Sequence, residues 1–322
     1  MLFATACGGG RAAAPSSPTP TAVANGSPAA ANYLNEIVGL MQANSINRNQ
    51  INWTDFRAQV FARVQGAQTI ADTYPAISLA LGLLNDQHSF YTTAEGMGIG
   101  NPSSRRCAAA SVSRPALPGD IGYVRVTAFS GTDAAAVRTF ADSVQDQIRL
   151  ADRSNLAGWI VDLRGNGGGN MWPMLAGVGP VLGDGIAGYF IPPSGFPSPW
   201  AYANGASTNN GFAQAMVSSV YVLARTSPRV AVLTDNLVAS SGEAVAISFR
   251  ARPNARSFGT ATCGLSTANQ SYRLSDGAML YLTTAVMADR TRLSYGDSIT
   301  PDEVVQGDAA VVERAIEWLH AE

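Results

Sequence analysis

Apolar positions in this chain follow two different periods, and the change from one to the other outlines its organisation. Leu34, Ile37, Val38 and Met41 keep the three-and-four spacing of a buried helix face, as do Phe56, Val60, Phe61 and Val64. Pro75 opens a third helical stretch, since proline is tolerated in a first turn, with Ile77, Leu81 and Leu84 facing inward. From Ile121 the pattern changes. IGYVRVTAF reads as a strand, and Val137, Phe140, Val144 and Ile148 line one face of the next helix. GWIVDL reads as a buried strand, followed by a glycine-rich turn, a helix near Met171 to Val181 and the short strand GYFI. RVAVLTDNLVASSGEAV (229–245) repeats the strand–turn–helix order, then ARSFGT, SYRL and AMLYLTTAVM read as strands and a helix over Ala309 to Leu319 closes the chain. Strands alternating with helices predict an α/β domain with a largely parallel sheet. Gly96 to Gly119 reads as a loop, and Pro192 to Asn210 as a long substrate-facing one.

Three regions follow: a leader and Ala/Pro/Ser linker over 1–31, a helical subdomain over 32–96, and an α/β core over 97–322. Residues 8–31 carry too few large apolar groups to build a core and read as a flexible tether. Ala4-Thr5-Ala6-Cys7 resembles a bacterial lipobox, in which Cys7 is lipidated, although almost no apolar or basic segment precedes it. The stretch reads either as the end of a lipoprotein signal or as an ordinary alanine-rich leader. The first reading places the protein in an exported, periplasmic or lipid-anchored, setting in the cell envelope. No other stretch is long and apolar enough to span a bilayer, so contact with a membrane would come only through Cys7. A formal charge of −2 gives no electrostatic case for nucleic acid. Lysine is absent, so every mechanism that needs an amine side chain is excluded. Cys107 and Cys263 remain as a candidate disulfide, and cysteine spacing suggests no metal site.

The candidate chemistry lies at three places. Ser240 ends the turn after the Val230–Leu233 strand and opens a helix, where free N–H groups and a positive partial charge suit an oxyanion. Ser240-x-x-Glu243 is equally a capping box, which accounts for both residues by helix stability. Asp162-Leu163-Arg164-Gly165-Asn166-Gly167-Gly168-Gly169 follows a strand and precedes a helix. It reads as a tight turn or as a donor of oxyanion N–H groups. It has neither the G-x-G-x-x-G nor the GK[ST] ending of a nucleotide loop. His88, in Asn85-Asp86-Gln87-His88-Ser89, is the candidate general base, because the other histidine, His320, sits at the chain terminus.

In combination and in this order, LNDQHSFY, DLRGNGGG, SSGEA, SFGTATCGLSTANQ and ITPDEVV resemble the C-terminal processing (tail-specific) serine peptidases and the related tricorn core peptidases. The resemblance implies a crotonase-like/Clp-like core, no cofactor and a peptide or protein substrate. It implies Ser240 as nucleophile, Ser241 N–H as one oxyanion donor, and Gly168, or alternatively Gly167, as the other. Many members use a lysine base; with none here, the histidine pattern implies His88. The acid orienting it would be Asp289, or alternatively Asp297, where the family pattern has a glutamate that this chain lacks. The interval from Phe90 to Ile121 is too short for the PDZ domain that many members insert. Two other classes stay open: a non-catalytic peptide-binding module on the same fold, and an esterase-type acyl hydrolase.

Overall fold

The protein is described by a computed structural model over residues 21–101, 107 and 112–321. Cys7 and most of the predicted leader lie outside these residues. In chain order the elements are helices α1 (Pro28–Asn44), α2 (Trp53–Ala62) and α3 (Tyr74–Leu83), strands β1 (Phe90–Thr92), β2 (Gly98–Gly100) and β3 (Ile121–Arg125), and helix α4 (Ala134–Ala151). Next come β4 (Gly158–Asp162), α5 (Met171–Leu182), β5 (Gly185–Ile191), β6 (Ser198–Ala203), β7 (Ala206–Asn209) and β8 (Phe212–Met216). The chain continues through β9 (Val230–Thr234), α6 (Ser241–Phe249), β10 (Ala255–Gly259), β11 (Thr267–Arg273), β12 (Met279–Asp289), β13 (Glu303–Val304) and α7 (Asp308–His320).

Five strands form the parallel sheet that the alternation predicts, in the order β13-β10-β9-β4-β3. Its strands are apolar on both faces because helices cover both. Val124, Trp159, Val161, Val230 and Val232 pack into the core shared with α4, α5 and α6. Their chain neighbours Tyr123, Ile160, Ala231 and Leu233 pack against Val311, Val312, Ala315 and Leu319 of α7. This is period-two geometry applied to a sheet buried on both sides.

A second sheet is antiparallel, in the order β2-β1-β12-β5-β6-β7-β8 with β11 also paired to β12. It revises two expectations. The segment read as a long loop over 192–210 contains β6 and β7, whose backbone groups pair with each other and with β5 and β8. The predicted boundary near 96 is not a break in packing either. The apolar faces of α1, α2 and α3 are buried against Leu274, Ala278, Leu280 and Leu282 from the far end of the chain. β1, which directly follows His88, pairs with β12 in register Phe90 to Tyr281. The helical unit and the core therefore share one sheet, and His88 reaches the core through it.

Candidate active site

Ser240 occupies a strained backbone position, φ 53° and ψ −116°, between β9 and α6. A non-glycine residue rarely adopts positive φ, at a cost on the order of 1–3 kcal/mol, and the surroundings must hold it there. Here they do so with a buried charge. Glu243, fully buried, accepts hydrogen bonds from Ser240 N–H at 2.9 Å, Gly264 N–H at 2.9 Å, Leu265 N–H at 2.7 Å and the Thr262 hydroxyl. Burial pushes the Glu243 pKa up, against these four donors, which pull it down.

The glycine loop packs directly on this elbow. Asn166 is buried; its side chain donates to Val126 O and accepts from Gly168 N–H, and its carbonyl accepts from Ala239 N–H. Two glycines are required by contact. A Cβ on Gly168, itself at φ 102°, would lie 2.9 Å from the Ser240 Cβ, and one on Gly242 would lie 2.4 Å from the Asn166 carbonyl oxygen. Asp235, at the end of β9, joins loop and elbow: its carboxylate accepts from Gly165 N–H and from the Leu237 and Val238 N–H groups. Asp162 braces the loop through Arg164 and Tyr123.

The expected oxyanion donors fare differently. Gly168 N–H already donates to Asn166 Oδ1 at 3.0 Å, and Gly167 N–H to Gly165 O at 3.1 Å. Gly169 N–H has no acceptor among the described residues. The Gly168 carbonyl accepts from Phe129 N–H, so across the trans peptide Gly169 N–H points away from Phe129. Ser241 heads α6, where first-turn N–H groups lack helical partners, and its hydroxyl donates to Gly169 O at 2.6 Å.

His88 lies in the turn between α3 and β1, not within the helix. Asp86 holds that turn, accepting from His88 N–H, Ser89 N–H, the Ser89 hydroxyl and Thr283 Oγ1. Asn269 Nδ2 donates to the His88 carbonyl. His88 Nδ1 is 2.8 Å from Thr267 Oγ1 on β11. Burial lowers the His88 pKa to about 4, with Asp86 and Thr267 acting in the opposite direction. The imidazole is therefore neutral at pH 7.

Neither aspartate expected behind His88 touches it. Asp289 accepts from Thr291, Leu293 and Tyr295 in its own turn; burial works to raise its pKa, but these bonds hold it below the usual range. Asp297 is exposed and accepts from Ser298 N–H. The position expected for an acid is taken by the Thr267 hydroxyl, which sequence reasoning missed. No local signal was available, because Thr267 stands in β11 among the equally polar Asn269, Gln270 and Ser271.

Ser240, Ser241, His88, Thr267, Gly167 and Gly169 all line one cleft of about 1200 Å³ between the two sheets. Pro192, Ser198 and Asn209 line it as well, so the segment read as a loop does face it. A disulfide joins Cys107 to Cys263 beside the donors to Glu243. Among the described residues there is no cluster of His, Cys, Asp and Glu able to hold a metal ion, and no helix long and apolar enough to cross a membrane.

Residues 120–305 match the sequence profile of peptidase family S41. The chain belongs to this family. A nisin-resistance protein from Lactococcus lactis subsp. lactis is 30% identical over 271 residues, or 84% of this S41 chain and 80% of the relative. A lipoprotein from Streptococcus agalactiae shares the fold with a TM-score of 0.71 at 23% identity, covering 91% of this chain and 96% of that one. The photosystem II D1 C-terminal processing protease superposes with a TM-score of 0.51 at 15% identity, covering 85% and 92% of the two chains.

Proposed function

We propose that this S41 protein is a serine peptidase with a Ser240–His88 site of the histidine, tricorn-like type. The observation that carries the reading is the pairing of two features in one cleft: a serine held at positive φ at a helix N-terminus, and a neutral histidine whose Nδ1 is occupied. In the tautomer whose Nδ1–H donates to Thr267 Oγ1, Nε2 is left as the acceptor that a general base needs.

In this reading His88 Nε2 takes the Ser240 proton as Oγ attacks the peptide carbonyl. The N–H groups of Ser241 and Gly169 stabilise the oxyanion, with Gly169 replacing the Gly168 or Gly167 that the sequence favoured. The proton then passes to the departing amine as the C–N bond breaks, leaving an acyl-serine that water hydrolyses by the same route. The substrate is a peptide or protein. The relative's name makes nisin the first peptide to offer, and the neighbouring lipoprotein's description fits a site in the cell envelope with an anchor at Cys7.

The test is labelling with a fluorophosphonate, comparing wild type with Ser240→Ala and His88→Ala. Adduct on Ser240 that is lost in both variants is the expected result. No adduct on folded wild type overturns the reading and favours a non-catalytic peptide-binding module. Matched ester and amide substrates separate a peptidase from an esterase.

A further inference from the structure

The cleft is almost free of charge. Among the described residues that line it there is no aspartate or glutamate, and Arg48 is the one permanently charged side chain. Arg48 sits in the turn that follows α1. Its backbone is fixed, because Trp53 Nε1 donates to its carbonyl at 2.8 Å, while among the described residues its guanidinium reaches only Ser45 O, at 3.4 Å. No carboxylate among the described residues pairs with it. Ile46 N–H donates to Thr283 O, which anchors this turn beside β12. Next along the same wall are Phe90 and Tyr281, stacked at 4.4 Å, and Ser271, in register with Tyr281.

β11 supplies a ruler. It pairs with β12 on one side only, and five consecutive residues, Thr267 to Ser271, line the cleft. Thr267 marks the catalytic end, since it contacts His88, and the Arg48 turn is anchored further along at Thr283, which is in register with Asn269. Two strand residues span about 7 Å, so an extended peptide lying along this wall would reach the Arg48 turn within a few residues of the scissile bond.

Resting on the peptidase reading, we propose that Arg48 is a specificity-determining residue that takes a carboxylate of the substrate within a few residues of the bond cleaved. A guanidinium with no internal anion partner, in a wall without competing acids, favours a planar anion that it can hold with two parallel hydrogen bonds. The carboxylate is either the peptide's own C-terminus or an Asp or Glu side chain.

The experiment uses a randomised decapeptide library in three forms: with free C-terminal carboxylates, as the C-terminal carboxamides, and as carboxamides in which Asn and Gln replace all Asp and Glu. Cleavage by the full chain is read by mass spectrometry, and retention of the same libraries on Ser240→Ala protein is read in parallel. Wild type is expected to prefer carboxylate-bearing peptides by about tenfold or more in kcat/KM, with the cut at a fixed short distance from the acid. Preference for the first form over the second assigns the terminus. Preference for the second over the third assigns a side chain. In Arg48→Gln the ratio falls toward one, Arg48→Lys restores part of it, and raised salt weakens it in the wild type. Equal use of all three forms, or an unchanged ratio in Arg48→Gln with a native circular dichroism spectrum, overturns the proposal. Charge-selective retention without any hydrolysis overturns the peptidase reading instead, and leaves the carboxylate site standing.

Discussion

Ser240 and His88 meet in one cleft but come from two sheets that hold their residues by different means. Ser240 stands at the end of a parallel sheet, and the carboxylate that fixes it is near in sequence: Glu243 three residues on, with Leu265 twenty-two from Glu243; the glycine loop, 72 residues from Ser241 at Gly169, is delivered by the adjacent strand. Its strained conformation is held by a fully buried carboxylate with four donors. His88 stands at the head of an antiparallel strand and is fixed by residues far along the chain. Thr267 is 179 positions away, and the Asp86–Thr283 bond spans 197. What touches its ring is a neutral hydroxyl. A buried charge fixes the nucleophile, then, while hydroxyls hold the turn and ring of the base and burial keeps it neutral.

The largest effect should come from removing either member. Ser240→Ala and His88→Ala are each expected to lower kcat/KM for peptide hydrolysis by about 10³-fold or more, and the double variant by little beyond that, since residues acting as a unit are not additive. Turnover of a fluorogenic peptide measures this. Activity within tenfold of wild type in His88→Ala would mean that the two sheets do not serve one reaction.

Glu243→Gln is next. The amide keeps the shape but replaces an acceptor oxygen with an NH₂ that must face N–H donors, so at least one buried donor loses its partner. A loss of about 2–3 kcal/mol in stability is expected, as for a charged group's broken buried bond. In turnover we expect a fall in kcat with KM little changed, because the group positions Ser240 and does not touch substrate. Urea unfolding and steady-state kinetics on one preparation test both. If KM carries the loss, Glu243 shapes the substrate wall instead of the elbow.

The same contrast explains what could be read in advance. The β9–Ser240–α6 unit and the Asp162–Gly169 loop were legible because each is one short strand–turn–helix whose glycines and caps lie within a few residues. His88 was legible as the histidine of a polar cluster after an apolar helix. Its partner was not, because Thr267 acquires its role only when β11 folds back on β12, and nothing in its own neighbourhood marks it. The antiparallel sheet was missed in part for a related reason. Ser198–Asn209 is rich in small and polar residues, and becomes strand by pairing with β5 and β8 more than by propensity.

Thr267 tests the base side. Thr267→Val removes the acceptor for Nδ1–H and is expected to lower kcat by about tenfold through a wrongly oriented or wrongly tautomerised ring, with Thr267→Ser close to wild type. The pH profile adds a sign. His88 must be neutral to accept a proton, and its pKa is about 4, so kcat/KM should rise through pH 4 and be flat above it. Because this pKa lies below the unfolded histidine value, folding also loses stability as pH falls from the unfolded pKa toward 4. Thr267→Asp places a negative charge at Nδ1, favours the imidazolium and should move the acid limb up. A limb that stays near 4 in Thr267→Asp would show that His88 is not the group titrating.

The smallest expected effect on turnover comes from the link common to both halves. Cys263 lies between Thr262 and Gly264, two of the donors to Glu243, and four positions before Thr267; its N–H donates to Val238 O on the elbow. Replacing Cys107 and Cys263 with alanine should cost about 2–5 kcal/mol of stability. Yet Glu243 and β11 pairing hold the same loop without it, so kcat should change only a few-fold below the melting transition. The fluorophosphonate labelling rate reports the nucleophile side, and the acid limb of the pH profile reports the base side. If the loop moves as one body, both shift together in the double variant. A slower labelling rate with an unmoved limb would instead show that the elbow depends on the disulfide while His88 is secured by the antiparallel sheet alone.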